Sequence, residues 1–320
     1  MPAMTPSRFT SVAVALAALA LASSNAPSGA RIAPTVSPAR DAQRAPLPTR
    51  QAEPADRHAY AWPVKPFRVQ HPVRGFFGDP RISNHGQSRQ FHFGIDISAP
   101  NGTPVYATMS GTAYIHALHS TTIAIVGRDD VEFSYWHVVP VVRSGQYVTA
   151  YKTVIGHIEE PYGHVHFSEK HGDRYVNPLR RGALGPFSDD TWPSVRSAVV
   201  DQAGELVVEA YDETPLAVPR PWHDLPVMPA LVRGRILAAK GRTIQGWTTL
   251  VDFRSTIPSA SVFDEVWADG VMQNHVRAPG HYRLVLARDL APGRYVVEVA
   301  VRDTRGNADQ ARFQLDVSDR

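Results

Sequence analysis

Alternation of apolar and polar residues with a period of two is the sequence feature that most limits the folds open to this chain. Every second residue from Tyr295 to Val301 is apolar, and a second alternating run, from 311 to 317, follows the turn Asp303-Thr-Arg-Gly-Asn307. Each run has one apolar and one polar face, as a half-buried strand does. The two runs therefore predict an antiparallel hairpin.

The rest of the chain after residue 62 also predicts strands. No segment of the first block, 62–186, keeps an apolar period of 3.6 residues over three turns, so we expect packed antiparallel sheets there. The second block, 187–320, predicts a small immunoglobulin-like β-sandwich. The fold class is thus mainly β, and the runs that predict strands outside the hairpin are Thr103–Thr108, Thr112–His116, Thr121–Val126, Val131–His137, Gly204–Glu209 and Ser261–Trp267.

The N-terminus predicts export. Arg8 precedes an apolar run from Ser11 to Ala22 that is too short to cross a bilayer, so we interpret 1–26 as a signal peptide, with an uncleaved anchor as the alternative. Residues 27–61 are rich in Pro, Ala, Arg and Ser, which predicts a disordered linker or a pro-segment. We expect a secreted or periplasmic protein without a membrane span after signal cleavage.

Composition excludes several classes of function. The chain has no cysteine, which removes disulfides, thiolate metal sites and a cysteine nucleophile. Its net charge is only +3 and it contains no run of basic residues, so we expect no nucleic-acid partner.

Two segments place pairs of ligand-type side chains on one face of a strand. In Phe91-His-Phe-Gly-Ile-Asp-Ile97, alternation puts His92 and Asp96 opposite the apolar residues, with Gly94 adding no side chain between them. In the second segment, His164 and His166 lie opposite Val165 and its apolar neighbour at 167. A hydrolytic zinc ion needs three nitrogen or oxygen ligands and one open position.

The stretch from about Trp62 to about Leu184 resembles the lysostaphin/LytM family of zinc endopeptidases. Family features occur in family order: Phe77-Gly-Asp-Pro-Arg81, His92-x-Gly-x-Asp96, Ala99-Pro-Asn-Gly-Thr-Pro-Val105, Gly111, Tyr135-x-His137, Gly145-Gln-x-Val148, Val154-Ile-Gly156, His164-x-His166-Phe167 and Asn177-Pro-Leu179. The resemblance covers a little over a third of the chain and does not extend to the second block.

The resemblance implies a site and a reaction. His92, Asp96 and His166 would bind one Zn²⁺ per chain, and His137 and His164 would be the unligated catalytic histidines. Zinc-bound water would attack a peptide cross-link of bacterial peptidoglycan, and the two histidines would take its proton and hold the developing oxyanion. The sequence does not divide these two roles, and the bond cleaved and the partner of the second block stay unknown.

The chain departs from the family between Gly156 and His164. Only seven residues, 157–163, stand where the family has a longer Gly/Ser/Thr-rich loop, and Phe167 is followed by Ser168 instead of Glu. Five further histidines match no motif and are interpreted as solvated side chains: His85, His116, His119, His157 and His171. Two other functions stay open, a non-catalytic LytM-type module that binds wall or activates other hydrolases, and a surface adhesin.

Overall fold

The computed structural model describes residues 58–82, 89–128, 130–223, 225–271 and 282–318. The predicted signal peptide and most of the predicted linker lie outside the described residues. Tyr60 falls on the linker side of the predicted boundary, yet its side chain is buried and its hydroxyl donates to Oε2 of Glu169 at 2.5 Å. Ordered packing therefore includes residues just before Trp62. Within the described residues, no helix is long and apolar enough to cross a membrane.

The first block consists of short antiparallel strands, as the sequence predicts. Its described strands are β1 (Val73–Gly75), β2 (Pro80–Ile82), β3 (Arg89–Phe91), β4 (Ile95–Ser98), β5 (Pro104–Tyr106), β6 (Gly111–Ile115), β7 (Thr122–Val126), β8 (Val131–Trp136), β9 (Val138–Pro140), β10 (Tyr147–Val148), β11 (Val154–Ile158), β12 (His164–His171) and β13 (Arg174–Val176). The main sheet has the order β1-β4-β12-β8-β7-β6-β10, with β13 beside β12. Smaller sheets are formed by β5-β11-β9 and by β2-β3.

The centre of the main sheet is buried on its apolar face. Ile95 and Ile97 of β4 are fully buried, and so are Val165 and Phe167 of β12. Their alternate neighbours on both strands point to the opposite face. The predicted division of these strands into a core face and a polar face is confirmed.

The second block holds two further antiparallel sheets. Its described elements are β14 (Ser194–Val200), β15 (Leu206–Tyr211), β16 (Leu231–Ala238), β17 (Thr243–Asp252), the 3₁₀ turn Ala260–Val262, α1 (Phe263–Val266), β18 (Tyr282–Ala287), β19 (Gly293–Arg302) and β20 (Ala308–Val317). One sheet is β14-β15-β18 and the other is β17-β16-β19-β20. The predicted hairpin is confirmed, with Val297 of β19 opposite Phe313 of β20. Its immunoglobulin-like class stays a prediction.

The strand predicted over Ser261–Trp267 is wrong, because this segment forms the 3₁₀ turn and α1. Phe263 and Trp267 are buried four residues apart, which is helical spacing. The Ser259 hydroxyl accepts the backbone N–H of Ser261, and Asp264 lies in the first turn of α1, where a negative charge is favourable. Local capping therefore prevails over the β-type composition.

The two blocks share one core instead of being joined by a free linker. The described residues all belong to one compact unit. The ring of Phe253, fully buried, lies on Gly78 and 5.7 Å from the ring of Phe91. The backbone N–H of Met228 donates to Oδ1 of Asp79 at 3.1 Å. The second block thus packs directly on the segment that leads to His92.

Candidate metal centre

Strand register brings the second predicted pair to the first. β12 runs antiparallel to β4, with His166 opposite Asp96 and His164 opposite Ser98. Nδ1 of His166 lies 3.2 Å and Nε2 of His164 lies 3.4 Å from the same oxygen, Oδ1 of Asp96. Both histidines are buried and lie on the face opposite the core, as predicted.

His92 reaches this group by a different path from the predicted one. Residues 91–97 are not a single strand, because β3 ends at Phe91, the backbone bends at Gly94 and β4 begins at Ile95. As a result, Phe93 leaves the core face and its ring lies 4.7 Å from that of His166. The expectation that Phe93 faces the core is therefore wrong, whereas the convergence of His92 and Asp96 holds.

Gly94 has the role that the sequence suggested. A Cβ at this position would lie 2.5 Å from the carbonyl oxygen of Phe167 and 2.8 Å from Nε2 of His166. Real Cβ atoms essentially never approach a neighbour so closely. Glycine therefore leaves the space that the imidazole of His166 occupies.

Three potential ligand atoms form a compact triangle. Nε2 of His92 lies 2.7 Å from Nδ1 of His166, and each of these nitrogens lies 3.2 Å from Oδ1 of Asp96. Ligands at ~2.0–2.1 Å from a tetrahedral zinc ion are about 3.3–3.4 Å apart, so the triangle is close to one face of such a tetrahedron. His92, Asp96 and His166 form one of two such groups among the described residues.

The hydrogen bonds of His92 favour metal binding. Its Nδ1 lies 2.8 Å from the carbonyl oxygen of Phe76, which can only accept, so Nδ1 carries the proton. Nε2 then presents a lone pair to Asp96 and His166, which is the usual arrangement of a metal-binding histidine. Nε2 of His166 is buried without a hydrogen-bond partner among the described residues. The donor set, two imidazoles and one carboxylate, fits zinc.

Asp96 is held from behind by arginine. Oδ2 of Asp96 accepts a hydrogen bond from Arg81 at 2.9 Å, which leaves Oδ1 for the histidines. Arg81 also lies 3.6 Å from the buried carboxylate of Asp79. Burial raises the pKa of Asp79 to about 6, and Arg81 opposes this effect. Asp79 in turn accepts from Met228, so a residue of the second block supports this chain of contacts.

Burial favours the neutral form of three imidazoles, those of His92, His137 and His166. It lowers the pKa of His166 to about 4 and that of His137 to about 3, and it also lowers the pKa of His92. Burial alone would raise the pKa of Asp96, but the nearby histidines lower it well below its ordinary value. A neutral imidazole and an ionised carboxylate are the protonation states that bind a metal ion.

His164 is oriented by an arginine that the sequence did not single out. The guanidinium of Arg74, on β1, lies 2.6 Å from Nδ1 of His164. Nδ1 of His164 has a second neighbour, the carbonyl oxygen of Tyr162 at 3.0 Å. We place the proton on Nε2, towards Asp96, because the guanidinium contact is the shorter of the two and a guanidinium only donates. Trp222 of the second block covers the other side of Arg74, with the guanidinium 4.6 Å from its ring centre.

His137 is placed by an unusual backbone conformation. Along β8, Tyr135 faces the core and is fully buried, so alternation would also turn His137 inward. The backbone of His137 instead has φ = 62°, and its ring lies 4.7 Å from that of His164. Tyr162 stacks on it at 3.9 Å. His137 therefore does not share the face of Tyr135, because the left-handed residue reverses the direction of its side chain.

The other histidines lie away from the triangle. His85 is outside the described residues. His116 and His119 are exposed and stack on each other, with His119 5.4 Å from Trp136. His171 contacts Glu169 at 2.6 Å, and His157 lies half-buried on β11.

Sequence reasoning missed the residues that reach the site from outside the motifs. Trp136 and Phe93 line the ring of His166, while Arg74 and Arg81 hold His164 and Asp96. The one available signal was Arg81, which ends the quoted segment Phe77-Gly-Asp-Pro-Arg81. Nothing in the local pattern around Arg74 points to a histidine 90 residues away.

Comparison with known proteins gives a family match over the part of the chain that contains these residues. The model of peptidase family M23 matches residues 90–178, which include His92, Asp96, His137, His164 and His166. The predicted resemblance is thereby confirmed at the level of this family. No curated protein matches the chain.

Three solved structures are similar to part of the chain. The SpoIIQ–SpoIIIAH pore forming complex contains a chain with 22% identity over 38% of this chain and 90% of that one, with a TM-score of 0.32. A zinc containing peptidase from Vibrio cholerae has 22% identity over 39% of this chain and 40% of that one, with a TM-score of 0.32. The catalytic domain of lysostaphin from Staphylococcus simulans has 25% identity over 32% of this chain and 86% of that one, with a TM-score of 0.27.

Proposed function

We propose that this chain, residues 90–178 of which match peptidase family M23, is a secreted zinc endopeptidase that hydrolyses peptide cross-links of bacterial peptidoglycan. The observation that carries the proposal is the triangle of His92, Asp96 and His166 with two further histidines beside it. Such a set combines three metal ligands with two groups that can move or hold a proton.

Zinc held by His92, Asp96 and His166 would supply Lewis acidity, which polarises the substrate carbonyl and acidifies the attacking water. Arg81 holds Asp96 so that one oxygen faces the two ligand imidazoles. Since these imidazoles are neutral, the three ligands leave a net positive charge at the centre for the reaction.

The hydrogen bonds suggest different tasks for the two other histidines. Arg74 donates to Nδ1 of His164, so the Nε2–H of His164 is a donor that can stabilise an oxyanion on the substrate carbonyl. Burial keeps His137 neutral, so it can accept the proton of the attacking water. Stacking on Tyr162 fixes the plane of the His137 ring.

The family match and the surroundings of the site support this choice of substrate. His137 and His164 lie beside 157–163, the shortened segment, whose Tyr162 is 39% exposed. An extended peptide can lie along this open side. The predicted signal peptide supports an enzyme that acts outside the cytoplasm, where its wall substrate lies.

The experiment uses the chain without its predicted signal peptide, loaded with one equivalent of zinc. Purified peptidoglycan should clear, with new free amino groups and no new reducing sugar ends, since a peptide bond is cleaved. His166→Ala should lose both zinc and clearing, and His137→Ala should keep zinc but lose clearing. His157→Ala, a change of a half-buried histidine outside the triangle, should keep both.

The outcomes distinguish the competing functions. Stoichiometric zinc without clearing of any wall type would favour the non-catalytic module. No bound zinc would refute the assignment of His92, Asp96 and His166. Clearing that survives in His137→Ala would refute the proposed proton acceptor alone.

A further inference from the structure

A second cluster of buried acidic groups lies outside the metal centre. Asp189, Asp212 and Asp303 expose 2%, 0% and 3% of their surface. Each offers a carboxylate oxygen, and these oxygens all lie within 4.8 Å of one another. They come from three separate places, the segment before β14, the end of β15 and the β19–β20 turn. The fold therefore gathers three carboxylates where water has almost no access.

Among the described residues, two of these carboxylates have an oxygen without a hydrogen-bond partner. Oδ1 of Asp189 accepts from the backbone N–H and the hydroxyl of Thr191, but its Oδ2 is buried without a partner among the described residues. Oδ1 of Asp212 accepts the backbone N–H of Glu213 at 2.8 Å, and its Oδ2 is likewise buried and unpartnered. A buried acceptor without a partner carries a desolvation cost of ~1–3 kcal/mol.

Asp303 is ordered by its own turn. Its Oδ1 accepts the backbone N–H groups of Arg305, Gly306 and Asn307, and its Oδ2 accepts the side-chain amide of Asn307 at 2.6 Å. Oδ2 therefore keeps a free lone pair. The same amide also donates to the carbonyl oxygen of Asp189 at 2.8 Å, which ties two of the three segments together.

The cluster has no positive side chain at ion-pair distance in the part of the chain that the structure describes. Within the described ranges, the three carboxylates form no ion pair with arginine, lysine or histidine at 4.0 Å or less. Arg305 is close enough to lower the pKa of Asp189, but its Nε donates to the carbonyl oxygen of Phe187 at 3.1 Å and its guanidinium lies over the Phe187 ring. Burial raises the pKa of Asp189 to about 6 and that of Asp212 well above its ordinary value, and the neighbouring carboxylates add to both effects.

We propose that Asp189, Asp212 and Asp303 form a calcium site that is separate from the zinc centre. Three carboxylates without an imidazole or a thiolate are the donor set of a hard cation. Calcium accepts irregular arrangements of oxygen ligands, whereas magnesium requires near-octahedral geometry and retains several waters. Because the cluster is buried and water has little access to it, it favours calcium.

The bound ion would stabilise the place where the chain leaves the first block. Asp189 lies two residues after Phe187, whose carbonyl oxygen accepts from Arg305 of the β19–β20 turn. Arg181 of the first block donates to the carbonyl oxygen of Arg305 at 2.7 Å. Calcium would link the segment before β14, the end of β15 and this turn, which all belong to the second block and lie next to its contact with Arg181 of the first block.

The test uses the zinc-loaded chain after removal of other metals, titrated with CaCl₂ by calorimetry and by thermal unfolding. We expect binding at one site per chain and a rise of at least about 4 °C in the unfolding midpoint at saturation, because the ligand binds only the folded state. MgCl₂ should produce a smaller rise.

Variants separate this site from other calcium effects. Asp212→Asn, which keeps the shape but removes a charge, should abolish the calcium-dependent rise, and Asp189→Asn provides a second variant if that protein does not fold. Asp316→Asn, an exposed change on β20, should keep the rise. His166→Ala should also keep it, because it acts on the zinc centre alone.

Two results would overturn the proposal. One is an unchanged midpoint and no heat of binding up to 10 mM CaCl₂ (a concentration about tenfold above the weak extracellular calcium sites). The other is a calcium response of equal size in Asp212→Asn and in the unaltered chain.

Discussion

Replacing Gly94 by alanine inserts a methyl group between β4 and β12 at the metal centre. The new Cβ would lie 2.5 Å from the carbonyl oxygen of Phe167 and 2.8 Å from Nε2 of His166, and real Cβ atoms essentially never lie within 3.0 Å of such a neighbour. The carbonyl must therefore retreat by at least about 0.5 Å, which is the tolerance within which a functional group must be held. Because this carbonyl follows His166 directly, the imidazole must move with it.

The expected effect is a loss of zinc affinity larger than the loss of stability. Disturbing the support of a metal ligand costs about 10–100-fold in affinity, which corresponds to about 1.4–2.7 kcal/mol. Competition with a chromophoric zinc chelator measures the dissociation constant, and denaturant unfolding of the zinc-free protein measures the effect on folding. Zinc binding by Gly94→Ala within about twofold of the unaltered chain would refute the reasoning.

The matched control is Gly246→Ala, on β17. A Cβ at Gly246 would meet no atom within 4 Å, and the backbone there is not in the left-handed region. We expect this variant to bind zinc with unchanged affinity. An equal loss in both variants would mean that Gly94 acts through general destabilisation and not through contact with His166.

Three further predictions concern residues around the two sites. Arg74→Met should lower kcat by about 10–100-fold without changing zinc affinity, because the Nδ1 of His164 loses its donor; an unchanged kcat in a steady-state assay would contradict this role. Phe253→Ala should lower the free energy of unfolding by about 3–5 kcal/mol and should also weaken zinc binding, since the ring lies on Gly78. Urea unfolding measures the first effect and chelator competition the second. Normal zinc affinity would show that the second block does not support the centre. Burial raises the pKa of Asp189 to about 6 in the folded protein, against an ordinary value of 3.8. The protonated carboxyl therefore stabilises the folded state fully below pH 3.8, and this stabilisation is lost as the pH rises through 6. Relative to Asp189→Asn, the calcium-free chain should therefore lose on the order of 2–3 kcal/mol between pH 4 and pH 7, as measured by urea unfolding at each pH, and a flat difference would contradict the burial argument.

The pair His164 and His166 could be predicted because strand alternation is a local property. Val165 and Phe167 are fully buried, and this alone places His164 and His166 on the opposite face. The hairpin of β19 and β20 was predictable for the same reason. In these elements, each residue's position depends on neighbours within two residues along the chain.

Departures from alternation could not be predicted. His137 turns towards the site because its backbone has φ = 62°, and the bend at Gly94 moves Phe93 from the core to the ring of His166. Both depend on tertiary contacts that a periodic pattern does not contain. The helix over Phe263–Val266 was not predicted, because the segment has a β-type composition. The serine that caps the preceding 3₁₀ turn and the four-residue spacing of the two buried aromatic rings were weaker signals in the sequence.

Contacts between distant segments were also hidden from the sequence. Arg74 and His164, or Asp189 and Asp303, are brought together only by sheet topology. No local signal distinguishes such an arginine or aspartate from an exposed one. His92, Asp96 and His166 could be singled out because a family pattern marks them, whereas the supporting residues and the second acidic cluster required the folded structure.

The packing of Phe253 on Gly78, and of Met228 on Asp79, has a consequence for the evolution of this chain. A chimaera that joins the first block to an unrelated C-terminal partner would leave the segment before His92 without its neighbours. Recombination at the block boundary would therefore separate residues that have to change together. We expect Gly78 and Phe253 to vary as a pair among descendants of this chain, so that its two blocks evolve as one unit and not as exchangeable modules.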